Sequence, residues 1–413
     1  MSTTQTVVLA FSGGLDTSFC VPYLINKGYQ VVTLFVDTGG VSKEAAQGIE
    51  DRAMELGATR HVHKDASQEL WDTFVTPFVM GGVKYEDRYP LLCSDRYAIV
   101  AASVELANEI NADAIAHGCT AMGNDQVRFD QSTRSLTDLP IIAPIREIQG
   151  LTNSPRAYEI EQLQSWGFGV NAEAKQYTIN ENLLGVTISG SEIDQMGAPG
   201  PGTRKLTQPP QSWPSEALRV SIGFESGKVV SLDGVPINGP QILSKLNTLF
   251  GAYGVGRGIY TGDTIVGLKG RIVFECPGLE VLLCAHKALE ELTLTKAQNE
   301  FKPGVARQWS NLVFGGMYYE PLRIDLEAFI TSSQQNVTGE VVVETQGGVC
   351  DAVEVRSDNT LTRAGAVYAQ HADWSAADAE GFIKILGQSS ALGAKQRERT
   401  LSQSKETACS SAS

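Results

Sequence analysis

Leu9-Ala10-Phe11-Ser12-Gly13-Gly14-Leu15-Asp16-Thr17-Ser18 runs from an apolar stretch through two glycines into hydroxyl residues and a carboxylate. Thr6–Phe11 is short, unbroken and apolar, the pattern of a strand buried on both faces of a parallel sheet. Thr17–Lys27 has helical composition and stops at Gly28. Pro22 suits that helix only near its first turn, which predicts a start close to Asp16. The glycines permit a tight turn, and N–H groups left open at a helix start converge on an anion. Ser12, Thr17 and Ser18 supply further hydroxyl donors. No Gly-Lys-Ser/Thr follows, so this is not a Walker A loop. A plain strand-turn-helix capped by Asp16 or Thr17 would carry the same local pattern. Its position at the first βα junction favours a phosphate site, because open α/β sheets collect ligands at the carboxyl ends of their strands.

Outward from this junction the alternation continues. Val31–Val36, Arg60–His63 and Ala112–Ala116 read as strands, with helices over Lys43–Leu56 and Asp95–Glu109 between them. An α/β fold follows: a doubly wound, mainly parallel sheet with right-handed crossovers and helices on both faces. Ser154-Pro155 opens a helix that ends near Trp166-Gly167, and beyond it the pattern changes. Gly197–Pro214 holds five prolines and three glycines and reads as a long irregular loop. Antiparallel pairs are expected from Ala217–Phe224 with Lys228–Leu232, Thr264–Leu268 with Arg271–Phe274 around Gly270, and Gly339–Thr345 with Ala352–Ser357 turning near Gly347-Gly348. Helices are expected over Gly239–Tyr253, Leu279–Thr295 and Arg307–Phe314. This divides the chain into a nucleotide-binding domain (1–168), an α+β domain (169–370) and a C-terminal helical segment (371–413). Ser402–Ser413 is polar and small, and is expected to lack fixed structure.

Bulk properties narrow the function classes. The chain has 413 residues, 42% hydrophobic and 19% charged, enough for two cores. No stretch approaches the ~18–20 apolar residues of a bilayer span, and the polar start Met1–Gln5 has no signal-peptide character. A cytoplasmic enzyme is expected. Seven cysteines and five histidines form no CxxC, HExxH or zinc spacing, so reduced thiols and no structural metal are expected. His61 and His63 share a strand and read as structural. A net charge of −14 argues against nucleic acid or an anionic membrane as partner. An anionic ligand must then be attracted locally, by amides, a helix end and a few placed cations.

A second polar cluster follows the strand at Ala112–Ala116: His117-Gly118-Cys119-Thr120-Ala121-Met122-Gly123-Asn124-Asp125-Gln126-Val127-Arg128-Phe129. Asn124 donates and accepts, Asp125 can meet an ammonium, and Arg128 can fork onto a carboxylate. That mixture suits an α-amino acid, although a solvated turn with an incidental arginine would show it too. His117 is a weak candidate for a general base.

The first string closely resembles the SGGxD(S/T)S loop of the N-type ATP pyrophosphatases (PP-loop family, adenine nucleotide alpha-hydrolase-like fold), in the form similar to argininosuccinate synthases. The second resembles the substrate signature of the same synthases. So do Tyr85-Glu86-Asp87-Arg88-Tyr89 with Ser94, Pro144-Ile145-Arg146-Glu147, and Tyr177-Thr178-Ile179-Asn180-Glu181-Asn182-Leu183; the match weakens beyond about Leu386. The resemblance implies ATP binding by Ala10, Phe11, Ser12, Gly13, Gly14, Leu15, Asp16, Thr17 and Ser18, with Val36 at the adenine and Gly118 on the nucleotide. It implies aspartate binding by Thr120, Asn124 and Asp125, and citrulline binding by Tyr89, Ser94, Asn124, Arg128, Thr178 and Thr187. Ser12, Asp16 and Ser18 would position and stabilise charge, with Mg²⁺ accompanying ATP, no covalent catalyst and a homotetrameric assembly. Departures are Thr178 and Thr187 in place of Ser, Met122 in place of Lys, and Gly262 and Phe274 where many members carry a citrulline-binding Glu and Tyr. Asp263 could replace that carboxylate only with a shifted backbone. The implied reaction ligates citrulline and aspartate to argininosuccinate, converting ATP to AMP and pyrophosphate. Another PP-loop adenylating synthetase, or a protein that binds ATP and citrulline without turnover, are the alternatives.

Overall fold

A computed structural model describes residues 4–170, 176–362, 368, 370 and 372–410. Residues 1–360 form one compact unit and 361–413 a second.

The first unit opens with β1 (Thr6–Ala10), α1 (Leu15–Asn26), β2 (Gln30–Asp37), α2 (Lys43–Glu55) and β3 (Arg60–Asp65). Then come α3 (Ser67–Leu70), a π-helical turn (Trp71–Val75), α4 (Thr76–Gly81), α5 (Asp95–Glu109), β4 (Ala114–Ala116), α6 (Asn124–Leu136), β5 (Ile141–Ile142), α7 (Pro144–Gln149) and α8 (Pro155–Ser165). The sheet order is β3-β2-β1-β4-β5, all parallel. Val7 and Leu9 point into one apolar layer with Phe19, Leu24 and Ile145, while Val8 and Ala10 point into the other with Val100 and Ala102. This two-sided burial is why Thr6–Phe11 is apolar at every position but the first. Chain order reverses between β1 and β4, so the turns after these two strands face each other across the crevice where such sheets bind ligands.

Antiparallel structure follows. β6 (Thr178–Asn182), β7 (Gly185–Ser189), β11 (Arg257–Asp263) and β12 (Lys269–Glu275) form one sheet, ordered β11-β12-β7-β6. β8 (Leu218–Glu225), β9 (Lys228–Leu232), β10 (Val235–Pro236), β13 (Gly339–Gly347) and β14 (Val349–Arg356) form another. Helices α9 (Gly239–Gly251), α10 (Pro277–Thr293), α11 (Lys296–Phe314) and α12 (Pro321–Ser333) complete the unit. The two halves meet directly: Leu183 N–H donates to the Thr38 carbonyl at 2.8 Å, just past the end of β2. The second unit holds α13 (Ala376–Leu386), started by a reciprocal Ser375–Asp378 capping box, and α14 (Gln388–Ser410).

Three expectations are corrected. Thr264–Leu268 is a turn, not a strand: Thr264 N–H donates to Leu268 O at 2.7 Å and Gly267 has φ +83°. The strand that pairs with β12 is Arg257–Asp263, whose glycines at 258 and 262 mask it in the sequence. Pro22 lies inside α1 rather than near its first turn, so the helix loses one internal hydrogen bond in a buried stretch. Ser402–Ser410 continues α14; Ser402 and Ser404 hydroxyls donate back to the carbonyls of Glu398 and Thr400 at 3.0 and 2.9 Å. Residues 411–413 lie outside the described residues.

Candidate active site

The loop Ser12–Ser18 leaves β1 at Phe11, whose N–H donates to Leu34 O at 2.8 Å. Gly13 adopts φ +74°, open to glycine at little cost, and a Cβ there would press within 3.2 Å of Ile49. Gly14 is the N-cap of α1 and no side chain caps it. Neither Asp16 nor Thr17 therefore serves as the cap, and the first-turn amides are left unclaimed by a capping side chain. Hydroxyls instead stiffen the loop. Thr17 Oγ1 lies 3.3 Å from both the N–H and the Oγ of Ser12, and Ser18 Oγ donates to Gly13 O at 3.4 Å. Val36 is buried near the carboxyl end of β2.

The turn after β4 closes on this loop. A Cβ on Gly118 would stand 3.0 Å from Thr17 Cγ2 and 3.4 Å from its nitrogen, so only glycine lets the two turns touch here. His117 orders the turn from beneath. The Cys119 N–H donates to its Nδ1 at 3.2 Å, which places the proton on Nε2, facing Asp130 Oδ1 at 2.9 Å. Arg146 forks onto the same carboxylate at 2.9 and 3.0 Å. Burial works to raise the Asp130 carboxyl, yet the His117 and Arg146 hydrogen bonds outweigh it and hold it at about 2. With both nitrogens engaged and 1% exposure, His117 is an anchor of the Gly118 turn and not a free base.

Downstream of Gly118 the polar residues interlock. Asn124 Oδ1 accepts from Ile265 N–H at 2.8 Å, drawing the β11–β12 turn onto the start of α6. Asp125 is held on both oxygens, by Arg128 at 2.9 Å and by Arg96 at 3.0 Å. Arg128 also donates to Phe314 O at 3.0 Å and lies 5.3 Å from the Phe314 ring centre. Three buried atoms in this region, Ser94 Oγ, Asp95 Oδ1 and Arg128 Nε, have no hydrogen-bond partner among the described residues. Unanswered donors and acceptors at such depth are costly, and together they match the ammonium and carboxylate of an amino acid.

Tyr89 is buried beside Phe314, Phe274 and Tyr260, at ring separations of 6.0, 6.2 and 5.5 Å. Phe274 pairs with Thr187 across β12 and β7, and Thr187 pairs with Asn180 of β6. Thr178, two residues along from Asn180, shares that face. Thr120 Oγ1 would lie 3.6 Å from a Cβ at Gly123. Met122 is 61% exposed. At Gly262 there is no room for a side chain, because a Cβ would overlap the Tyr260 hydroxyl. That hydroxyl donates to Glu86 Oε2 at 3.0 Å, whereas Asp263 is paired with Lys269 at 2.7 Å. A tyrosine hydroxyl and a carboxylate thus occupy this wall although Gly262 and Phe274 supply neither. Arg96, Asp95 and Tyr260 were not singled out in the sequence, and Glu86 lay within the Tyr85–Tyr89 string without a role of its own. Arg96 and Asp95 directly follow Ser94, and a charged pair placed inside an apolar helix was the available signal.

Two family models match in order: Arginosuccinate synthase N-terminal HUP domain over residues 6–164 and Arginosuccinate synthase C-terminal domain over 177–392. The chain is 58% identical over 394 residues to the argininosuccinate synthase of Xanthomonas axonopodis pv. citri (strain 306), covering 95% of this chain and 96% of that protein. It is 38% identical over 392 residues to that of Bacillus subtilis (strain 168), covering 94% and 96%. Against that of Methanocaldococcus jannaschii (strain ATCC 43067 / DSM 2661 / JAL-1 / JCM 10045 / NBRC 100440) it is 37% identical over 396 residues, covering 95% and 98%. Matches of this length over both halves, on a sheet whose switch point carries both loops, establish that the chain belongs to the argininosuccinate synthase family.

Proposed function

We propose that the protein is an ATP-dependent carbon–nitrogen ligase that joins citrulline to aspartate, releasing AMP and pyrophosphate, as a step of arginine biosynthesis. The observation that carries this reading is the contact between the two turns at the sheet's switch point, Gly118 against Thr17. It puts an uncapped helix start beside a cluster suited to amino acids. The amides of Gly13–Ser18 with the Ser12, Thr17 and Ser18 hydroxyls would take the phosphates, and Val36 would border the adenine. The ureido oxygen of citrulline attacks the α-phosphate and pyrophosphate departs, leaving a citrullyl-adenylate. The aspartate amine then attacks the activated carbon, loses a proton and expels AMP. Arg128 and Ser94 would orient citrulline with Tyr89, Asn124, Thr178 and Thr187; Thr120, Asn124 and Asp125 would orient aspartate. Most of the rate would come from positioning and from charge stabilisation at the leaving pyrophosphate. Among the described residues no group of three or more His, Cys, Asp or Glu could hold a metal ion. Mg²⁺ would accompany ATP and supply charge neutralisation at its phosphates.

Functionally the chain divides into a nucleotide part (1–168), a synthetase part (169–370) and a C-terminal segment (371–413). A cytoplasmic homotetramer is the assembly this reading carries. Among the described residues no helix is long and apolar enough to cross a membrane. The test is pyrophosphate release by the purified protein. Release that needs ATP, citrulline and aspartate together supports a ligase; ATP binding with no release under any combination leaves a binding protein.

A further inference from the structure

Four side chains of alternating charge join the start of α5 to the start of α6. Arg96 donates from Nη1 to Asp95 Oδ2 at 2.5 Å and from Nε to Asp125 Oδ2 at 3.1 Å, with Nη2 3.0 Å from the same oxygen. Arg128 donates from Nη1 to Asp125 Oδ1 at 2.9 Å. None of the steps above uses Arg96, although it grips the carboxylate that would orient aspartate. The side chains of Asp95, Arg96 and Arg128 are 4%, 14% and 3% exposed, whereas that of Asp125 is 37% exposed. A carboxylate has about four acceptor sites, so the open part of Asp125 can take one more donor. For the amine of aspartate that contact carries a hazard. Before the C–N bond forms and the C–O bond to AMP breaks, the ammonium must give a proton to solvent and free its lone pair. A carboxylate alone would hold the amine protonated, because an opposite charge within hydrogen-bond reach favours the charged form. We propose that Arg96 is a positioning residue for the nucleophile: it fixes Asp125 from the α5 side and, with Arg128, offsets its charge, so that the amine is oriented without being locked as ammonium. The inference rests on the reading that Asp125 orients aspartate in a ligase.

The groups that face Asp125 from the surrounding elements leave this balance to the two arginines. Cys93 and Tyr89 lie on the segment before α5, Tyr97 on α5, and Cys119 on the turn after β4. Burial pushes each of these thiols and phenols up, which keeps them neutral near pH 7. Burial also works to raise the Asp125 carboxyl, but Arg96 first and Arg128 second outweigh it and hold the group below its ordinary value. At the far end of the row, burial pushes the Asp95 carboxyl up against the pull of Arg96.

The test is kcat for pyrophosphate release by the full chain, with ATP, citrulline and aspartate saturating, from about pH 6 to 8.5; kcat reports groups in the bound complex. In Arg96→Met, Asp125 keeps one guanidinium, the ammonium is favoured, and the acid side of the kcat profile should move up by about one pH unit. Arg96→Lys keeps the charge and loses the fork. Its profile should superimpose on that of the unaltered protein, while KM for aspartate rises about tenfold. Met at position 96 strands Asp95 as well as Asp125, so Asp95→Asn combined with Arg96→Met is read in the same way where the single variant does not fold. The proposal is overturned by a Met profile that superimposes on the unaltered one, by a Lys profile displaced as far as the Met profile, or by a Lys variant whose KM is unchanged. Absence of pyrophosphate release by the unaltered protein at any pH overturns the underlying ligase reading as well. Release with superimposing profiles overturns this inference alone.

Discussion

At the scale of single residues, the site is built from side chains that answer one another before any ligand arrives. Arg128 spends one N–H on Asp125 and one on Phe314 O, leaving Nε unmatched among the described residues. If a citrulline carboxylate completes it, Arg128→Ala removes a charge-assisted bond of roughly 1.5–3 kcal/mol. Citrulline affinity should fall about 10- to 150-fold, with ATP affinity nearly unchanged; equal losses for both ligands would point to a fold defect instead. Asp130 makes a pH-dependent prediction. Its folded-state value is depressed to about 2 from an ordinary 3.8, so its contribution is complete above the ordinary value and is lost as pH falls through the depressed one. The contribution is about 2 kcal/mol. Asp130→Asn should therefore unfold at lower urea than the unaltered protein at pH 7, and the gap should close between about pH 4 and 2. A gap independent of pH would show that packing, not charge, is the cause.

At the scale of elements, Glu275 at the end of β12 does for the loop after residue 200 what His117 does for the Gly118 turn. It is fully buried, accepts from the N–H groups of Lys205, Leu206 and Thr207 at 2.7, 2.6 and 3.3 Å, and pairs with Arg257 at 2.7 Å. Removing one partner of such a pair strands the other, at a cost of about 3–5 kcal/mol. Glu275→Ala should lose that much in a denaturant titration; a loss below about 1 kcal/mol would show that water replaces the carboxylate. The Gly197–Pro214 loop was legible from its prolines and glycines, but its anchor was not, because the pairing joins positions about seventy residues apart. The same contrast holds throughout. Strands buried on both faces, such as Thr6–Ala10 and Gln30–Asp37, announce themselves by continuous apolar composition. β6 (Thr-Ile-Asn-Glu-Asn) and β11 (Arg-Gly-Ile-Tyr-Thr-Gly-Asp) carry polar and glycine residues that line the site or make room for Tyr260, and their strand character comes from partners. In the site, the loop residues Ser12–Ser18 and Gly118–Arg128 were readable as contiguous strings. Arg96 and Tyr260 were not, since each matters through a residue on a distant segment, Asp125 and Glu86.

At the scale of the whole molecule, a chain of net charge −14 faces repulsion in binding a polyanion, and would face it again in the homotetramer proposed above. For ATP the remedy is local, in amides and hydroxyls at one helix start. For assembly the second unit offers an apolar stripe on α13, where Phe382, Ile385 and Leu386 lie three and four residues apart and are 63%, 75% and 68% exposed. Side chains at that spacing share one helix face, and such exposure is unusual unless the face is covered by a partner. Burial of three large side chains from each copy contributes on the order of 1.5–3 kcal/mol apiece, and screening by salt relieves the charge that opposes it. Replacing Phe382 and Ile385 together by Asp should therefore lower the mass found by sedimentation, most strongly at low ionic strength. ATP binding should survive, because Ser12–Ser18 and Gly118 belong to the compact unit that ends at Thr360. A variant that keeps the parent mass in low salt would remove α13 from the assembly. One that dissociates and also loses ATP would mean that the nucleotide site is completed only in the oligomer.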